Sequence, residues 1–215
     1  PDAPDGHLPG TDAVGQALSG IAEAYSIPGN NLRTGVASVA DETCAILTFG
    51  GILAAYINAQ KTGKGQKLET SLVGSAFRLL GWTMTTAMWS NKPPITGARI
   101  NGTRERPGIA ACFNDIDGKP FAMQLDPKDW LEAMKALNFF ETLEKENLID
   151  LGLAFESEEN KNKILNRLAE LFSSNKRNHW ISILRKADMI STHVNTMLEA
   201  SNDPNIKENN YVTEV

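Results

Sequence analysis

Asp41 is the acidic residue whose setting in this sequence best suits chemistry. It follows the weakly apolar run Thr34-Gly35-Val36-Ala37-Ser38-Val39-Ala40 and opens a Gly-rich apolar stretch, predicted to be helical from about Asp41 to Lys61. A carboxylate at a helix start faces unpaired backbone N–H groups and the positive end of the helix dipole, and both keep it ionised. Read alone, the position fits an ordinary first-turn or capping Asp best. The chemical alternative is a carboxylate nucleophile, exposed where a buried helix begins.

Other residues offer less. His7, His179 and His193 are far apart, and none has a second ligand three or four residues away on a helix, so no metal site is expected. The chain contains no GxGxxG, GxxxxGK[ST] or GxSxG motif, and its Ser and Cys residues lack a nearby base with an orienting acid. Arg99, Arg104 and Arg106 could meet phosphates or an acidic acyl group, but solvated charge is the simpler reading. Trp82, Met84 and Trp89 at helical spacing read as core, as do Trp130 and Trp180 on amphipathic helices.

These side chains must be positioned by a chain of 215 residues, 41% apolar and 22% charged, which excludes a disordered tail or a disulfide-stapled miniprotein. Its formal charge of −5 gives no net field for a nucleic-acid backbone. Cys44 and Cys112 form no CxxC or Cys/His pattern, which suits a reducing, cytoplasmic setting. The best membrane-span candidate, Cys44 to Ile57, is too short, and the acidic, turn-forming start Pro1-Asp2-Ala3-Pro4-Asp5-Gly6 is no signal peptide. No nucleic-acid or membrane partner is therefore expected. The chain starts without Met in what reads as a loop, and an internal fragment of a longer protein is expected.

Asp12 can cap a helix from about Ala13 to Tyr25, and Pro28-Gly29-Asn30-Asn31 reads as a turn. The helix opened by Asp41 should end at Lys61, Gly63 and Gly65. Gln66 to Leu72 alternates as a strand, and Val73 to Trp89 is helical with almost no charge, hence buried on most sides. Gly50 and Gly51 are read as allowing close helix packing. Turn formers from residue 91 to 108 suggest a linker. Beyond it come a hairpin (Ile109 to Ile116, Asp117-Gly118, Lys119 to Leu125) and a helix announced by Asp126-Pro127 and carrying Trp130. Helices from Glu158 to Phe172 and from Lys176 to Ala187 complete this half, and Tyr211 to Val215 reads as a strand start. The fold expected is α/β: residues 1–90 part of a large Rossmann-like α/β domain, 91–108 a linker, 109–190 a small α+β domain, and 191–215 a return segment.

The ordered motifs resemble those of the family III CoA-transferases, the superfamily of formyl-CoA transferase, carnitine CoA-transferase and α-methylacyl-CoA racemase. Pro9-Gly10-Thr11-Asp12 through Gln16-Ala17-Leu18-Ser19-Gly20 is similar to the family's "PG-x-D … SG" segment. Asp41 stands where its nucleophilic Asp stands, followed by Gly50-Gly51-Ile52-Leu53-Ala54-Ala55. Lys61-Thr62-Gly63-Lys64-Gly65-Gln66 and Leu68-Glu69-Thr70-Ser71-Leu72 resemble its "TGKGQ-x-(V/L)-x-x-SL" signature. The Asp117-Gly118 hairpin, the Trp130 helix, Ala187-Asp188 and Asp203-Pro204 resemble its small domain and return segment.

The resemblance implies CoA transfer from an acyl-CoA donor to a carboxylic acid acceptor, with Asp41 as catalytic nucleophile and Gly10 and Thr11 at the CoA. It implies no permanently bound cofactor, the CoA thioester being substrate, and no metal. It implies an intertwined homodimer, and a length about twice this one. In related racemases a His takes the place of Thr11. A hydroxyl cannot exchange an α-proton as imidazole does, which favours transfer over racemisation. Glycines at Gly97, Gly102 and Gly108 alone do not make the Gly-rich lid loop of some transferases. The alternatives to an active transferase are a non-catalytic or truncated subunit of the same fold, or an acyl-CoA racemase. The apolar content from Trp82 to Trp89 points to a medium or branched acyl group over formate or oxalate.

Overall fold

The computed structural model describes residues 9–26, 37–92 and 107–212, and the chain divides into two units, residues 1–98 and 99–215. That division falls within the turn-rich stretch 91–108, most of which, with its three arginines, lies outside the described residues. So do His7, the Pro28 turn and the final residues 213–215.

In the first unit, α1 (Asp12–Ser19) and α2 (Ile21–Ala24) replace the single helix expected from Ala13 to Tyr25. The break is Gly20, whose φ of 89° is left-handed and closes α1. Next, α3 (Val39–Thr62) ends as expected at Gly63, φ 70°, whose N–H donates to the Ala59 carbonyl at 2.8 Å. The expected strand from Gln66 to Leu72 does not form. Alternation specifies a strand only where a neighbour can pair with it, and the described residues of this unit contain none. Instead Ser71 takes an extended backbone and its Oγ accepts the Gly74 N–H at 3.0 Å, capping α4 (Leu72–Ser90), which bends at Gly81.

The two long helices are far more exposed than their apolar sequences suggest. Only Ala40 of α3, and Ser75, Ala76 and Leu80 of α4, are buried. Trp82 and Trp89, expected in a core, are 83% and 90% exposed, and Met84 is half-buried. Among the described residues the core here is Ile21, Ala40, Ala76 and Leu80, too few to cover helices of 24 and 19 residues. Helices apolar on all faces are built to be buried. By length and composition alone α3 is also long and apolar enough to cross a membrane, correcting the shorter span read from Cys44 to Ile57.

The second unit follows its sequence pattern closely. Strands β1 (Ile109–Asn114) and β2 (Pro120–Leu125) pair antiparallel across the Asp117-Gly118 turn, with Gly118 at φ 73°. Helices α5 (Trp130–Ala136), α6 (Phe140–Lys145), α7 (Leu151–Ala154), α8 (Glu158–Phe172) and α9 (Arg177–Lys186) follow. Strand β3 (Ile190–His193), unforeseen in the sequence, pairs antiparallel with β2 and completes the sheet order β1-β2-β3. Thus the start of the expected return segment belongs to this sheet, and α10 (Met197–Asn202) and α11 (Pro204–Glu208) come after it. Phe172 is fully buried, its ring edge-on to Phe121 at 5.1 Å and to Trp180 at 5.5 Å. Trp130 and Trp180 are core residues, as their spacing implied, and donate Nε1–H to the carbonyls of Ile149 and Phe172 at 2.7 and 2.8 Å.

Buried Asp115 ties this unit together. Its Oδ1 accepts the N–H groups of Asp117 and Lys119 at 2.9 and 2.8 Å, and its Oδ2 accepts that of Arg177 at 2.7 Å. Burial pushes its carboxyl up, but the backbone donors of Arg177, Lys119 and Asp117 and the Arg177 charge outweigh this and hold it below its ordinary range.

Two outcomes follow from this core. Phe172→Ala should destabilise the second unit by about 3–5 kcal/mol in denaturant titrations, against about 0.5 kcal/mol or less for a polar replacement of exposed Glu144. Because the folded-state pKa of Asp115 is depressed, its stabilisation is present above the unfolded value near 3.8 and is lost as pH falls through the folded value. Melting temperatures measured through that acidic range should fall less steeply for Asp115→Asn than for wild type.

Candidate active site

Asp41 is exposed in the first turn of α3, and the start of that helix is held from α1. Ser38 precedes α3 but makes no side-chain cap. Instead Asp12 Oδ1 accepts the N–H of Ala40 at 2.8 Å and of Asp41 at 3.3 Å. Asp12 was expected to cap its own helix; Thr11 is the N-cap residue of α1, and the Asp12 carboxylate caps α3. Gln16, one turn along α1 and fully buried, donates Nε2–H to Asp12 Oδ2 and, at 3.4 Å, to the carbonyl of Ala37.

Small residues permit this approach. A Cβ on Gly15 would lie 2.9 Å from Ala40 Cβ and 3.3 Å from Leu72 Cβ, so α1 seats against the starts of both α3 and α4. Gly10 and Thr11 are exposed just before α1, with Thr11 extended at φ −130° and ψ 166°, adjacent in sequence to the Asp12 that contacts Asp41. The N–H groups of Ala40 and Asp41 are thus committed to Asp12, which removes them as free donors to a reacting oxygen.

A turn further along α3, Cys44 Sγ lies 3.3 Å from Thr70 Oγ1, which is 3.1 Å from Thr48 Oγ1. The Thr70 hydroxyl chiefly, with Ser75 and Thr48, holds the thiol below its usual range against burial and the charge of Asp41. Thr48 was findable four residues from Cys44; Thr70 was not. Gly51 accommodates Leu68, whose Cδ1 would be 2.8 Å from an added Cβ, whereas Gly50 faces open space. Leu68 lies in the non-helical segment ahead of α4, so the close helix packing expected of the pair is not what either glycine makes.

Among the described residues no group of three or more His, Cys, Asp or Glu could hold a metal ion. His179 is edge-on to Trp180 at 4.8 Å, and His193 Nε2 is 2.6 Å from Asn178 Oδ1.

The sequence profile of CoA-transferase family III matches residues 1–215. The chain belongs to this family. It is 27% identical over 122 residues to an acetyl-CoA:oxalate CoA-transferase from Acetobacter aceti, covering 52% of this chain and 31% of that protein. It is 24% identical over 177 residues to an (R)-2-hydroxy-4-methylpentanoate CoA-transferase from Clostridioides difficile, covering 80% of this chain and 42% of that one. A CaiB/BaiF family protein from Brucella suis superposes with a TM-score of 0.81 at 20% identity, covering 97% of this chain and 53% of its own. Rv3272 from Mycobacterium tuberculosis gives 0.72 at 15% identity with the same coverages. The chain therefore spans less than half the length of these two curated relatives and about half that of the solved proteins. Its fold is α/β, that of about half a CaiB/BaiF protein.

The two kinds of glycine contact in this family III chain make opposite predictions. Gly15→Ala should destabilise the first unit by about 1–3 kcal/mol, since Ala40 Cβ and Leu72 Cβ are fixed to backbone. Gly50→Ala, on an open helix face, should stabilise it by about 0.5–1 kcal/mol. Circular dichroism melts of the two variants beside wild type decide this.

Proposed function

We propose that this family III chain supplies the nucleophile of a CoA-transferase, Asp41, acting on an acyl-CoA donor and a carboxylic acid acceptor. The observation that carries this is an exposed carboxylate at a helix start fixed by Asp12, in a chain matched throughout by the family. Further CoA contacts are assigned to the length that the relatives possess beyond the matched part. On this reading Gly10 and Thr11 approach the thioester, no resident cofactor or metal is used, and the working form is an intertwined homodimer in the cytoplasm. On the same reading neither membrane nor nucleic acid is a partner.

The chemistry balances in two halves. An Asp41 oxygen attacks the donor thioester carbonyl, the C–S bond breaks, and CoA leaves as a thiolate, giving an aspartyl mixed anhydride. The thiolate attacks the aspartyl carbonyl, forming an aspartyl-CoA thioester and releasing the donor acid as carboxylate. The acceptor carboxylate then attacks that thioester, and the expelled thiolate takes the acceptor acyl group from the new anhydride, restoring Asp41. Covalent relay splits an exchange with a poor nucleophile into easier steps. Water must be excluded from the anhydride. Since Ala40 and Asp41 N–H groups already serve Asp12, oxyanion donors are assigned to groups other than these two. Thr11 in place of an imidazole supports transfer over racemisation.

The test uses this sequence extended to the length of its relatives, with acyl-CoA and hydroxylamine. A hydroxamate mass shift on the Asp41 peptide is expected, with α-protons of a 2-methylacyl-CoA unexchanged in deuterated water. Asp41→Ala should abolish the shift and turnover while costing no more than about 0.5–2 kcal/mol of stability. No shift with any acyl-CoA would leave the non-catalytic subunit as the reading, and α-deuteration would favour the racemase.

A further inference from the structure

The helix carrying Asp41 has no side-chain cap from its own N-cap residue, and its second and third N–H groups, of Ala40 and Asp41, are satisfied by a carboxylate from another helix, 28 and 29 residues earlier in the chain. We infer that Asp12, braced by Gln16, is a positioning residue for Asp41: it fixes the first turn of α3 and thereby where the Asp41 carboxylate stands. This rests on Asp41 being the nucleophile.

Three features of the arrangement support a positioning role over simple capping. The clamp engages the backbone N–H of Asp41 itself, so any shift of Asp12 is transmitted to the reacting residue through one amide. Asp12 is itself held: Gln16 is fully buried and joins Asp12 Oδ2 to the carbonyl of Ala37, just ahead of α3, so both sides of the helix start are tied to α1. The seat has no slack, since Gly15 leaves no space for even a methyl group between α1 and Ala40. A nucleophile held by a rigid neighbour reacts from one geometry, and small misplacements of reacting groups carry large kinetic costs.

The experiment compares Asp12→Ala and Asp12→Asn with wild type in two arms. In this chain, amide hydrogen exchange is read at Ala40 and Asp41. In the extended protein, kcat and KM for acyl-CoA are measured, normalised to the fraction of Asp41 that hydroxylamine traps. Asp12→Ala should speed exchange at those two amides about tenfold or more, and should lower kcat by about tenfold to a hundredfold with KM little changed. Asp12→Asn keeps an acceptor oxygen for the two amides but turns its NH2 donor toward the Gln16 donor, so it should recover part of both. Unchanged exchange in Asp12→Ala overturns the clamp. Faster exchange with unchanged kcat, or an Asn variant no better than Ala, overturns positioning and leaves a stabilising cap. Absence of any wild-type adduct removes the nucleophile reading, and positioning with it, while the exchange arm separately decides the clamp.

Discussion

A helix of 24 residues begins with N–H groups that its own turns cannot satisfy, and α3 meets that requirement from outside. The carboxylate of Asp12 accepts two of them, and in doing so brings the start of α1 against the start of α3. Gly15 then fits over Ala40 and Leu72, so α4 is drawn to the same point. Three helix starts converge, with Gly10, Thr11 and Asp41 around them. The segment Pro9-Gly10-Thr11-Asp12 through Gly20 thus has a physical purpose at four of its polar and small positions: Asp12 caps, Gln16 braces, Gly15 allows contact and Gly20 turns the chain.

The two units differ in how fully they satisfy their own sequences. The second closes on an aromatic and aliphatic core around Phe172 and Trp130, with Asp115 fastening the hairpin to α9. The first carries apolar helices whose outer faces, including Ile46, Phe49, Tyr56, Trp82 and Trp89, remain exposed. Patches of that kind mark contact surfaces. The matched solved proteins are about twice as long as the aligned region.

Legibility in the sequence followed the range of the interactions. Local ones were plain: Gly63 closing α3, Asp117-Gly118 turning the hairpin, and the spacing of Ile164, Leu168 and Phe172 along α8. Those needing a distant partner were misread. Leu68, Thr70 and Leu72 alternate like a strand, yet Leu68 fills the space over Gly51 and Thr70 faces Cys44. The short strand β3, recognisable only through its pairing with β2, was missed for the same reason. At the candidate site, the helix start drew attention to Asp41, but on position alone it read best as an ordinary cap, and only the family resemblance implied a nucleophile. The cap supplied by Asp12 was invisible, because Asp12 also begins a helix and looked fully employed there.

The central claim is that Asp41 carries the acyl exchange covalently, and the fate of oxygen atoms tests it most directly. If the acceptor carboxylate attacks the aspartyl-CoA thioester, the oxygen bridging the anhydride comes from the acceptor and stays on Asp41 when CoA departs with the acceptor acyl group. Turnover with an acceptor acid labelled with heavy oxygen should therefore deliver label to the Asp41 side chain, read by mass spectrometry of the peptide containing it, and afterwards to released donor acid. Product formed at the normal rate with an unlabelled Asp41 would contradict the account.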